Sequence, residues 1–107
     1  MEQLNKVELK GIVGYVRSHI VNGRMSVDFT MATEYRYRDK SGNGIIDVTW
    51  HRVCAFESDK CQYLDRITSG SNLHVLGRLR TRRYIDNDGN ERQSVDIVAT
   101  EVHILGL

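Results

Sequence analysis

The chain has 107 residues, 40% of them hydrophobic and 27% charged, values that fit one soluble globular domain over residues 1–107 and argue against disorder. No apolar run is long enough to span a bilayer, and Glu2, Lys6, Glu8 and Lys10 stand where a signal peptide needs an apolar stretch, so a cytoplasmic address without membrane contact is expected. Fifteen Lys and Arg against 14 Asp and Glu leave a net charge of +1, which by itself names no partner.

There is no proline, and the apolar pattern runs in twos. Val7, Leu9, Gly11 and Val13 alternate with Glu8, Lys10 and Ile12, which predicts a first strand with a weak point at glycine. Arg17 to Arg24 is read as a connection closed by Asn22-Gly23, a hairpin-turn dipeptide. Met25, Val27, Phe29 and Met31 alternate with Ser26, Asp28 and Thr30, a half-buried strand running on to about Tyr37. Asp39 to Gly44 is turn chemistry, and a third strand follows from Ile45 to Phe56. Between Ser58 and Thr68, Cys61, Leu64 and Ile67 recur at threefold spacing. With Ser58 as N-cap and Gly70 as stop, they predict one short helix. Asn72 to Arg82 reads as a fourth strand with Leu73, Val75, Gly77 and Leu79 inward. Asn87-Asp88-Gly89-Asn90 is a hairpin tip, and Gln93 to Ile104 is the fifth strand.

This order predicts an all-β fold, a five-stranded OB-fold Greek-key barrel with one short helix between strands 3 and 4. Gly11, Gly14 and Gly77 suit the sharp coiling of such a barrel. An open sheet packed on a single helix would give the same string of elements.

Catalysis is not expected. His19, His51, His74 and His103 are scattered without ligand spacing, and Asp28 and Asp47 have no sequence-local partner, so no metal or cofactor is implied. Cys54 and Cys61 are too few for a disulfide framework and fit no zinc pattern; Cys54 reads as a small core residue.

Binding chemistry is concentrated in three places. Trp50, Arg52 and Phe56 share parity on strand three and project from one face. If that face were interior, Arg52 would be a buried unpaired charge, whereas Val53 and Ala55 on the other face suit a core. Rings flanking a guanidinium offer π-faces to bases and a cation to phosphate. Arg78, Arg80 and Arg82 line one edge of strand four, with Tyr84 beyond them; a solvated edge that deters strand pairing is the other reading. Tyr35, Arg36, Tyr37, Arg38 and Lys40 interleave aromatics and cations at the end of strand two. The three groups are expected to converge on one barrel face and its loops. A protein- or oligosaccharide-binding module is the rival class.

These residues also carry a family resemblance. Asn5-Lys6-Val7-Glu8-Leu9-Lys10-Gly11, Trp50-His51-Arg52-Val53, Phe56, Gly70-Ser71 and Gly77-Arg78-Leu79-Arg80-Thr81-Arg82 are similar to the bacterial single-stranded-DNA-binding protein family over roughly residues 5 to 105. The resemblance implies a homo-oligomer, a tetramer more than a dimer, that holds single-stranded DNA without sequence preference in replication, recombination or repair. It implies a nucleoid-associated cytoplasmic protein that meets other replication proteins. Carried over, the stacking aromatics are Tyr37, Trp50, Phe56 and Tyr84, and the basic contacts Lys40, Arg52, Arg80, Arg82 and Arg83. His51 and His74 fall at subunit-contact positions. Two features depart from the pattern: Glu57 replaces a glycine, and an Asp-Pro-Glu expected after strand one is missing. The resemblance stops at Leu105-Gly106-Leu107, short of the family's acidic tail, which implies a truncated core or a tail-less relative such as the primosomal accessory protein. The Trp-His-Arg and Leu-Arg-Thr-Arg segments favour the core.

Overall fold

Period-two alternation buries one face of each strand, and five such faces meet in a closed barrel. The computed structural model describes residues 1–106, with β1 (Val7–Val21), β2 (Arg24–Arg38), β3 (Gly44–Phe56), β4 (Asn72–Ile85) and β5 (Glu91–Leu105) in the order β1-β2-β3-β5-β4. Val13, Val27, Phe29, Met31, Val53, Ala55, Leu73, Val75 and Ile97 fill the interior. This is the expected OB-type barrel, and closure rules out the open sheet.

Its details differ from the expectation in four places. The segment read as a connection is strand: β1 continues to Val21 and pairs with β2 as far as Val21–Arg24, leaving Asn22 and Gly23 (φ 52 and 78) as a two-residue hairpin turn. The short helix is a single 3-10 turn, Leu64–Arg66. Ser58 and Cys61 exchange backbone hydrogen bonds of 3.1 and 3.2 Å, and the Val102 amide donates to the Lys60 carbonyl at 3.0 Å, so this backbone is spent on pairing. Tyr63, at φ 62, then interrupts any right-handed helix. Cys61, Leu64 and Ile67 are nonetheless buried at the spacing that suggested a helix, and they help to fill the core. Cys54 is a third correction: it lies on the outer face with Trp50 and is only half-buried. Burial and a hydrogen bond with Asp28 push its thiol pKa up, which keeps it protonated. Leu79, expected inward, is exposed.

Gly11 and Gly77 are where the barrel wall is tightest. A methyl group at Gly11 would strike the carbonyl of Ala32, and one at Gly77 the carbonyl of Val98.

Closure rests on a short parallel seam, Val53–Ile97 and Cys54–Val98. Towards their N-terminal ends β3 and β5 diverge, each carried away by its antiparallel partner. One arm is the β2–β3 ribbon, paired out to Arg38–Gly44; the other is the β4–β5 ribbon, paired out to Ile85–Glu91. The arms give a radius of gyration of 16.1 Å, where a compact domain of this size has about 13 Å. A cleft opens between them.

Candidate nucleic-acid interface

Both arms end in the same turn. The sequence Arg-Tyr-x-Asp-x-x-Gly-Asn occurs at 36–43 and again at 83–90. In each tip the aspartate carboxylate, Asp39 or Asp86, accepts two backbone N–H bonds of 2.9–3.0 Å, and the glycine, Gly42 or Gly89, is left-handed at φ 82 or 80. Backbone N–H bonds from Asn43 and Ser41 lower the pKa of Asp39; for Asp86 the Arg92 side chain leads and the Asn90 amide follows. Tyr37 and Tyr84 therefore occupy equivalent places, two residues before a rigid tip. The repeat is legible in the sequence once the two segments are aligned.

Trp50 stands at the root of the cleft, 60% exposed, on the outer face of β3. Ala32 lies beside it on β2, and the indole reaches across to β1, where Gly14 makes room. Across the cleft are Leu79, Tyr84, Ser94 and Val95; with Trp50, His51 and Arg52 they line a groove of about 430 Å³. The exposed Leu79 is thus part of this wall.

Arg52, exposed on the same face as Trp50, makes no ion pair among the described residues. Arg80 and Arg82 behave differently. Both reach Asp96 on β5: Arg80 donates at 3.1 Å from Nε and 3.0 Å from its terminal nitrogen, and Arg82 Nε lies 3.1 Å away. Asp96 is 5% exposed. Burial alone would raise its pKa, but the Arg80 hydrogen bonds and the charges of Arg80 and Arg82 outweigh that and hold it below the usual carboxylate range. The pair of arginines is preorganised by one carboxylate, and one of their two charges is neutralised. Asp96 went unnoticed in the sequence because its partners lie 14 and 16 residues away on another strand.

The remaining candidates are more scattered than expected. Phe56 is half-buried at the far end of β3, with the Arg24 guanidinium 5.7 Å above its ring, so one π-face is already engaged. Tyr37 lies out on the β2–β3 arm, on the opposite side of the ribbon from Trp50; it packs beside Tyr35, ring centroids 5.9 Å apart, in a shallow pocket with Arg36, Arg38, Ile45 and Ile46. Lys40 is exposed in the tip. Arg83 points away from Tyr84 and lies 3.9 Å from Glu91. The three sequence groups do not share one face: Trp50, Arg52, Arg82 and Tyr84 come together, and Tyr37 and Lys40 form an outlying station.

His51 is half-buried on the inner side of β3, with Nε2 2.8 Å from Thr33 Oγ1, and burial lowers its pKa. His74 lies on the far wall, 2.6 Å from Glu8, its ring 6.0 Å from that of His103. Among the described residues no cluster of three or more His, Cys, Asp or Glu side chains could hold a metal ion, and no helix is long and apolar enough to cross a membrane.

Comparison with known proteins decides the lineage. The model of the single-strand binding protein family matches residues 4–105. The chain belongs to that family. It is 38% identical over 109 residues to single-stranded DNA-binding protein 1 of Chlorobaculum tepidum and 34% identical over 110 residues to the protein of the same name from Xylella fastidiosa. These alignments cover 96% and 99% of this chain but 65% and 80% of the relatives, so it spans about two thirds of the first one's length. Its fold superposes on the Plasmodium falciparum SSB in complex with ssDNA with a TM-score of 0.85 at 26% identity, covering 98% of this chain and 97% of that one. A deletion mutant of the Thermus aquaticus single-stranded DNA binding protein gives 0.79 at 25% identity, covering 95% and 50%. The single-strand binding barrel thus accounts for nearly the whole chain.

Proposed function

We propose that this family member binds single-stranded DNA without sequence preference and without catalysis, stacking bases on Trp50 and Tyr84 and meeting phosphates with Arg52 and Arg82. Tyr37 and Lys40 on the β2–β3 arm extend the contact, while Phe56, Arg80 and Arg83 border it. The observation that carries this reading is the exposed indole beside an unpaired guanidinium at the root of the cleft. A half-exposed tryptophan is costly to leave in water, and a π-face beside a cation suits an unpaired base and its phosphate. The relatives named above as single-stranded DNA-binding proteins support it.

The assembled form is a homo-oligomer, a tetramer before a dimer, with His51 and His74 at subunit contacts. The protein works in the cytoplasm on the nucleoid, in replication, recombination or repair, alongside other replication proteins. Titration with oligo-dT while Trp50 emission is followed tests the central claim. Quenching that saturates, and that salt reverses, is expected; emission indifferent to oligo-dT at low ionic strength would overturn the reading.

A further inference from the structure

A second recess opens beside the cleft, on the outer face of β1 and β2. It has a volume of about 290 Å³, at the lower end of ligand-holding clefts, and Tyr15, Arg17, Asp28, Thr30, Arg52 and Arg82 line it. Arg52 and Asp96 line both hollows, so the Trp50–Tyr84 groove runs into this one past the Arg52 guanidinium and the carboxylate that Arg80 and Arg82 hold.

The register explains how it is built. Thr30 pairs laterally with Arg52, and Arg17 with Asp28. Between Val13 and Val16 the pairing of β1 with β2 slips, and the amide of Tyr15 bonds the Thr30 side chain at 2.9 Å in place of a ladder partner. The irregularity leaves the Tyr15 ring 62% exposed at the rim. Arg17 makes no ion pair among the described residues. Of the two acids in the recess, Asp96 is already held by Arg80 and Arg82, and Asp28 lies 3.7 Å from His19. The local balance favours an anion. This is also the stretch where the chain lacks the Asp-Pro-Glu that its resemblance led one to expect.

We propose that the recess is a further nucleotide subsite, with Tyr15 stacking a base and Arg17 and Arg52 holding its phosphates. This rests on the single-stranded-DNA reading and extends it: the strand leaves the Trp50–Tyr84 groove over Arg52 and crosses onto β1.

The test is a titration of the full chain and its variants with oligo-dT of stepwise increasing length, followed through Trp50. Tyr15→Ala is expected to weaken long oligonucleotides by about 5- to 150-fold, the range known for loss of one base stack in OB folds of this class. Oligonucleotides short enough to fill only the Trp50–Tyr84 groove should bind Tyr15→Ala as they bind the parent. Tyr15→Phe should restore the long ones, and Arg17→Glu, at an exposed position, should reproduce the length-selective loss. Unchanged affinity at every length for Tyr15→Ala and Arg17→Glu, or equal loss at every length, would overturn the subsite while leaving the cleft intact. If the parent chain itself ignores oligo-dT, the underlying reading falls first.

Discussion

The benzo edge of Trp50 lies over Gly14, so close that a methyl group on Gly14 would sit 2.6 Å from the indole Cζ3 and 2.9 Å from Cη2. A residue on β1 thereby sets the attitude of a ring on β3, across the whole width of β2. The indole is laid against the sheet over Gly14, with its outer face presented to the cleft.

Gly14→Ala is accordingly expected to lift the indole while leaving the barrel intact. The colliding atoms are the far end of a surface side chain, so the stability loss should stay within about 1 kcal/mol, below the cost usual for overpacking. Trp50 emission should shift and oligo-dT affinity fall. Gly77→Ala provides the contrast. There the clash is with the Val98 carbonyl, which cannot rotate away, and destabilisation of about 1–3 kcal/mol or more is expected in thermal unfolding.

Trp50→Ala should separate binding from folding. Exposed on the surface, the ring contributes little to stability, and a change within about 0.5 kcal/mol is expected in denaturant unfolding. Binding should weaken by about 1–3 kcal/mol, the range already known for stacking in this class of OB fold. Phe29→Ala, at 2% exposure, should do the reverse and cost about 3–5 kcal/mol of stability.

Asp96→Asn should loosen Arg80 and Arg82 together. The amide keeps one acceptor oxygen but loses the charge and puts an NH2 donor where the second oxygen met a guanidinium, and a loss of about 1–3 kcal/mol is expected. The pH dependence follows from the lowered pKa of Asp96. Its folded-state pKa lies below that of the unfolded chain, so the stabilisation is complete above about pH 4 and is lost as pH falls through the folded value. Melting temperatures between pH 6 and pH 2 should fall less steeply in Asp96→Asn than in the parent chain. Parallel curves would show that the carboxylate does not carry this dependence.

Salt should weaken the complex in proportion to the phosphates neutralised. With about four to six contacts per protomer, the log–log slope is expected near −3 to −4. Arg52→Gln, which removes a guanidinium without an acidic partner, should reduce that slope by about 0.7. Neutralising Arg80 should change it less, because Asp96 already offsets that charge.

Much of this was readable along the chain. Period two in Met25–Met31 and Leu73–Gly77 marked the inward faces because burial alternates with the pleat: Val27, Phe29, Met31, Leu73 and Val75 are core, and Met25 packs against it half-buried. Parity placed Trp50 and Arg52 outside for an equally local reason: an unpaired arginine cannot share an interior face. The threefold spacing of Cys61, Leu64 and Ile67 correctly marked burial but not helix, since an irregular turn pinned to β5 buries the same positions.

What the tertiary structure decided is which residues stand side by side across strands. Asp96 under Arg80 and Arg82, Gly14 under Trp50, and Arg52 between two hollows are neighbours set by pairing register and by a two-pair parallel seam. Local propensity carries no record of such contacts, because closing a barrel joins segments whose separation along the chain leaves no periodic trace. Composition and alternation therefore determined which face of each strand meets water, and closure determined where on that face a cleft exists.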